Sequence, residues 1–181
     1  MSKSEPPAFR WVDPLSRPVL AATIPATGID IHVEPTPAER EAMARALDLA
    51  AVDSLTARYR LRAAAGGIVE VTGEVTGQVQ PRCIVTLEAF PLAIAEPVAL
   101  RFIDAAATAA RRAHTAAIEE VDHDPPDPIE NGAIDLGHVT TEFLSLALPP
   151  YPRKPGAAFD TEATDEAANP FAALRKVIDK T

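Results

Sequence analysis

From Val69 to Val79 the odd positions are Val69, Val71, Gly73, Val75, Gly77 and Val79, and the even ones are Glu70, Thr72, Glu74, Thr76 and Gln78. A period of two sends successive side chains to opposite faces, so this stretch predicts a long β-strand with one buried face. After Pro81-Arg82, the residues Cys83, Val85 and Leu87 take up the apolar register again, which predicts that the strand resumes there. Gly73 and Gly77 fall on the buried side, where a strand glycine marks a bulge or the close approach of another chain segment.

The same reading extends in both directions. Arg17–Ile24 predicts a first strand, and Ile29, Ile31 and Val33, alternating with Asp30, His32 and Glu34, a second. Thr36-Pro37-Ala38-Glu39 has the residues of a capping box with proline in the first turn. It predicts a helix from Pro37 to Ala50 with Met43, Ala46, Leu47 and Ala50 on one side. Leu55, Ala57, Tyr59 and Leu61 alternate with Arg58, Arg60 and Arg62, and Ala65-Gly66-Gly67 suits a hairpin turn into the Val69–Val79 strand. The arginines would then lie across from Glu70 and Glu74, where each opposite-charge pair contributes roughly 0.2–1 kcal/mol. Leu92, Ile94, Val98, Leu100 and Phe102 predict one further strand or two, broken near Glu96-Pro97. Asp135 is placed to cap a helix running from Leu136 to about Leu148, with Val139, Phe143, Leu144 and Ala147 inward and Pro149-Pro150 as its stop.

The fold class is therefore α+β: a mostly antiparallel sheet, able to close in part into a barrel, with two or three packed helices. Residues 1–18 are proline-rich and predicted flexible, with Phe9, Trp11 and Leu15 as anchors. Residues 19–159 form a single domain, interrupted at 104–131 by an alanine-rich, then acidic and proline-rich insertion predicted to be mobile. Residues 160–181 comprise an acidic linker and a short helix carrying Phe171, Leu174, Val177 and Ile178. That helix is too short to stand alone and is expected to dock, on its own domain in preference to a partner.

Composition narrows the chemistry. A formal net charge of −9 over 181 residues opposes wholesale binding to a phosphate backbone. One cysteine excludes an internal disulfide, no apolar run approaches bilayer length, and MSKSEPP lacks the apolar core of a signal peptide, so a cytoplasmic protein is expected. The four histidines (His32, His114, His123 and His138) have no metal-ligand spacing. Glu119, Glu120, Asp122, His123, Asp124 and Asp127 read as solvated acidic linker in preference to a weak cation site. Cys83, on the apolar side of its predicted strand, reads as a buried structural thiol rather than a nucleophile. No phosphate-cradling glycine loop or GxSxG is present, so neither a catalytic residue, a metal site nor a cofactor is assigned. The stripe Arg58, Arg60, Arg62 admits two readings, a solvated charge-balanced face and an RNA contact.

Several motifs occur in a familiar order. Gln80-x-x-Cys83-Ile-Val85-Thr86-Leu87-Glu88, Ile134-Asp135-Leu136-Gly137, and Glu142 to Pro149 ending in L-x-L-P resemble the YceD-like family, the large ribosomal RNA subunit accumulation proteins. The capped helix with Glu39-Arg40 and Leu47, Tyr151 to Gly156, and Asn169-Pro170-Phe171 resemble its alphaproteobacterial branch. The resemblance implies a non-enzymatic ribosome-biogenesis factor that supports accumulation of large-subunit rRNA. It would bind a ribosomal protein, rRNA or an assembly intermediate. Family members commonly neighbour the gene of a small zinc-type large-subunit protein. Many carry a second cysteine near Cys83 and more after L-x-L-P, a metal-like pattern that Arg82, Thr86 and Tyr151–Lys154 replace in this chain. The acidic charge suits a basic protein partner. Arg58, Arg60, Arg62, Arg82, Arg153 and Lys154 are the candidate partner or RNA contacts. The alternative is a small-molecule or lipid-binding β-module curved around an apolar ligand at Gly73 and Gly77.

Overall fold

The computed structural model describes residues 13–104 and 125–158. Seven strands and two α-helices follow in the order β1 (Pro18–Leu20), β2 (Ile29–Val33), α1 (Pro37–Ala46), β3 (Ala51–Ala64), β4 (Ile68–Gln80), β5 (Leu92–Asp104), β6 (Asp127–Ile129), β7 (Ala133–Asp135) and α2 (Leu136–Ala147). Strands β2-β3-β4-β5-β6 form one sheet in that spatial order, antiparallel except where β6 joins β5 in parallel. β1 and β7 pair separately. The β2 and β6 edges do not meet, so the sheet is open rather than a barrel.

The long β3–β4 hairpin is the frame. Gly66 and Gly67, both at positive φ, make its turn, and the register sets Arg62 opposite Glu70, Tyr59 opposite Gly73 and Leu55 opposite Gly77. Both helices cover the inner face, where Leu55, Tyr59, Leu61, Val71, Val75, Val79, Met43, Leu136 and Leu144 are at most 2 % exposed. A methyl group at Gly73 would stand 2.1 Å from the Arg58 carbonyl oxygen and 2.9 Å from the Tyr59 ring. At Gly77 it would meet the Ser54 carbonyl oxygen at 2.5 Å. The glycines thus mark the close approach of the neighbouring strand. Tyr59 and Leu55 occupy the space above them, where the alternative reading placed an apolar ligand.

Four expectations are corrected. The first strand is only Pro18–Leu20, because Ala21–Thr23 turn into a 3-10 helix. Helix α1 carries the predicted capping box but stops at Ala46 rather than Ala50, and Asp48 sits at φ 53 as the chain reverses into β3. β5 runs unbroken through Pro97. Its outer side is paired only at Phe102–Asp104, so a residue without an N–H fits with its nitrogen facing away from β4. The last part of the 104–131 insertion is ordered, since Asp127–Ile129 is strand β6 and Ile129 is buried. Residues 105–124 and the helix expected near Phe171 lie outside the described residues.

Candidate functional site

The open face of the sheet presents Arg58, Arg60 and Arg62 from β3. Arg60 is committed to Asp30 of β2 at 2.7 Å and to the Thr27 carbonyl oxygen at 2.7 Å, while Arg62 is paired with Glu70 at 2.6 Å. Arg58 stands in register with Glu74 and His32 and makes no ion pair among the described residues. Toward β5 the face flattens into Ala93, Ala95, Pro97 and Ala99, all exposed. Two of the three predicted contacts are thus already neutralised, and what remains is a charge-balanced surface with one free guanidinium.

The other predicted contacts, Arg82, Arg153 and Lys154, gather with Cys83–Glu88 at one end of the domain. The strand does not resume at Cys83. Pro81 ends β4, and Cys83–Glu88 forms a tight reversal in which the Cys83 N–H donates to the Glu88 carbonyl at 2.8 Å. The Leu87 N–H returns to the Cys83 carbonyl at 2.9 Å, with Leu87 at φ 61. Left-handed leucine has no signature in a polar–apolar pattern, which is why period two misplaces this stretch. Cys83 is nevertheless buried, as expected. Its Sγ accepts the N–H groups of Val85 at 3.4 Å and Thr86 at 3.5 Å. The Thr86 side chain, then the Lys154 and Thr86 N–H groups, favour the thiolate and lower the thiol to about 6.

The segment after α2 comes back against this turn. The Ile84 N–H donates to the Pro152 carbonyl at 3.0 Å, and Lys154 Nζ pairs with Glu88 at 2.8 Å. The two stretches in which the resemblance places extra cysteines are therefore side by side. Here they are held together by backbone hydrogen bonds and an ion pair. Around them Leu87 is 73 % and Tyr151 75 % exposed, and a recess of about 430 Å³ opens between Leu47, Leu49, Ile84 and Leu148. Arg82 lines it and Arg153 follows Pro152, another of its lining residues; both arginines are exposed and without ion pairs among the described residues. The sequence named these cations but not the apolar surface beside them.

Asp135 and Leu136 serve the architecture. The Asp135 carboxylate accepts the Gly137 N–H at 2.8 Å as helix cap. It also accepts the Arg17 N–H at 2.6 Å and the Ser16 hydroxyl at 2.5 Å from the segment entering β1. Leu136 is fully buried, and a methyl at Gly137 would stand 2.6 Å from the Leu15 carbonyl oxygen, so glycine lets that segment cross the helix start. Of the histidines, His138 pairs with Asp13 and His32 lies 3.8 Å from Glu34; His114 and His123 lie outside the described residues. No group of three His, Cys, Asp or Glu suited to a metal ion occurs among the described residues.

Residues 71–177, more than half of the chain, match the family described as large ribosomal RNA subunit accumulation protein YceD. Searches of curated proteins and of solved structures each found no match. The matched span begins in β4, so it contains Arg82, Cys83, the Cys83–Glu88 turn, Asp135 and Arg153. It leaves out Arg58, Arg60 and Arg62.

Proposed function

The chain belongs to the YceD family of large ribosomal RNA subunit accumulation proteins, and from that premise we propose that it acts in the cytoplasm by binding rather than by catalysis. Its partner is a ribosomal protein or large-subunit assembly intermediate. The contact surface is the end of the domain built by the Cys83–Glu88 turn and the Pro149–Lys154 segment. One observation carries this choice: inside the family-matched span, exposed Leu87 and Tyr151 share this end with Arg82 and Arg153, which make no ion pair among the described residues. Apolar anchors flanked by free guanidinium groups are what protein interfaces and protein–RNA particles use, since aromatic and arginine side chains dominate binding energy. The sheet face supports the same preference from the other side, because Arg60 and Arg62 are spent on Asp30 and Glu70. A face so balanced attracts polyphosphate weakly.

Co-purification of the full chain from cell extract, followed by mass spectrometry and rRNA analysis, tests the reading. Recovery of ribosomal proteins or large-subunit rRNA is expected, falling several-fold for Arg82→Glu with Arg153→Glu. Recovery of neither overturns it.

A further inference from the structure

We propose that residues 169–178 of this same chain dock on the apolar end of the domain, over Leu47, Ile84, Leu87 and Leu148, and cover it until a partner displaces them. Five large apolar side chains are strongly exposed among the described residues. Four of them, Ile84, Leu87, Leu146 and Tyr151, belong to this end, and only Leu20 lies elsewhere. Leu47 lines both the 430 Å³ recess beside the turn and a second of about 290 Å³ that runs along α2 past His138, Glu142 and Leu146; the apolar part of this surface is the first recess. A patch of this kind on a protein in water marks a contact.

The occupant follows from where the chain goes. The segment bonded to Ile84 through Pro152 continues to Ala158, and eleven residues further stands Asn169. An extended span of that length reaches roughly 40 Å, and a flexible one averages about 20 Å, so the segment is tethered within easy reach. It carries Phe171, Leu174, Val177 and Ile178 at helical spacing, an apolar stripe matching an apolar recess. The tether itself bears Asp160, Glu162, Asp165 and Glu166, opposite in sign to Arg82 and Arg153, which make no ion pair among the described residues. The family match continues to residue 177, so Ile84, Leu87 and Leu148 fall in one matched unit with the segment as far as Val177. A tether this short gives an effective concentration on the order of millimolar, enough for a weak intramolecular contact to prevail. Displacement by a partner rests on the binding reading above; the docking does not.

Two experiments on the purified full chain test the docking without any partner. In 15N-labelled protein, Phe171→Asp with Leu174→Asp is expected to shift the amide resonances of Leu47, Ile84, Leu87, Leu148 and Tyr151, independently of protein concentration. Unmoved resonances, shifts confined to another face, or shifts in the unsubstituted chain that vanish on dilution (a second copy as occupant) overturn it. In a second set, made in a Cys83→Ser background, Leu87→Cys with Leu174→Cys is expected to oxidise to a monomeric disulfide at least ten-fold faster than Leu20→Cys with Leu174→Cys. Equal rates overturn it. For displacement, the double aspartate variant is expected to recover several-fold more ribosomal partner from extract; unchanged or lower recovery overturns that part. Shifts as expected with no ribosomal component recovered by either protein would instead overturn the binding reading alone.

Discussion

The Asp135 carboxylate ties the first turn of α2 to the N–H of Arg17, which lies 118 residues before Asp135 in the chain. Its loss leaves a helix start uncapped and a partly buried N–H unmet. Asp135→Ala should therefore lower stability by about 2–3 kcal/mol in denaturant unfolding, with Asp135→Asn recovering part. Neighbouring titrations set the pH range of the same attachment. The hydrogen bond from Arg17, then that from the Thr36 N–H, hold the Glu39 carboxyl at about 2 instead of 4.5. That contribution is complete above about pH 4.5 and is lost as pH falls toward 2. Burial pushes Asp135 up, but Ser16, Arg17, His138 and Gly137 as donors outweigh it and lower the group, with the same sign. The Asp13 hydrogen bond raises His138, whose contribution is complete below about pH 6.5 and fades as pH rises through its raised value. The protection factor of the Ala21 amide, which donates to the Gly132 carbonyl beside this attachment, should be highest between about pH 4.5 and 6.5 once exchange is corrected for its intrinsic pH dependence, and fall on both sides. Asp135 was legible in the sequence as a helix cap, because capping is a local pattern. Its grip on Ser16 and Arg17 was not, because no spacing rule reaches across 118 residues.

Elements whose pattern repeats over many residues were readable, and their interruptions were not. β3, β4, β2 and α2 follow from period two or 3.6, and the cross-strand placing of Arg62 against Glu70 follows from the turn at Gly66-Gly67. The Cys83–Glu88 reversal and the early end of α1 depend on single left-handed residues, Leu87 and Asp48, which a polar–apolar string does not encode. The close contact at Gly73 gives a sharp test of the β3–β4 hairpin. Gly73→Ala forces a methyl against the Arg58 carbonyl, and the neighbouring backbone must move. Stability should fall by about 2–3 kcal/mol or more, while an exposed change such as Thr72→Ala stays within about 1. The reversal offers another test. Cys83 carries a thiol favoured as thiolate but covered by the turn and by Lys154. Iodoacetamide at neutral pH should leave it unmodified in the folded protein and modify it rapidly in denaturant.

At the scale of the molecule, the two groups of predicted contacts fall on different surfaces. Cross-strand pairing let the sequence place Glu70 against Arg62, but Asp30 became the partner of Arg60 only once β2 was known to flank β3. Arg60 and Arg62 therefore hold the sheet's own carboxylates. Replacing Arg58, Arg60 and Arg62 together by Glu should lower stability by roughly 1 kcal/mol, allowing for screening of half-exposed pairs, and leave partner recovery unchanged. Recovery lost at full stability would return the contact to the sheet. The apolar end was hidden from the sequence because Leu47, Ile84 and Leu148 come from three separate elements, each with an unremarkable local pattern.

The pairing of β1 with β7 also bears on how the chain is made. Asp135 leaves the ribosome 117 residues after its partner Pro18. At about 5–20 residues per second that is about 6–23 s, during which the β2–β5 frame can assemble with the pocket for Leu15 still unfilled. Strand β1 is thus made before the other strands described and finds its place only after them, so the fold closes once β7 has emerged.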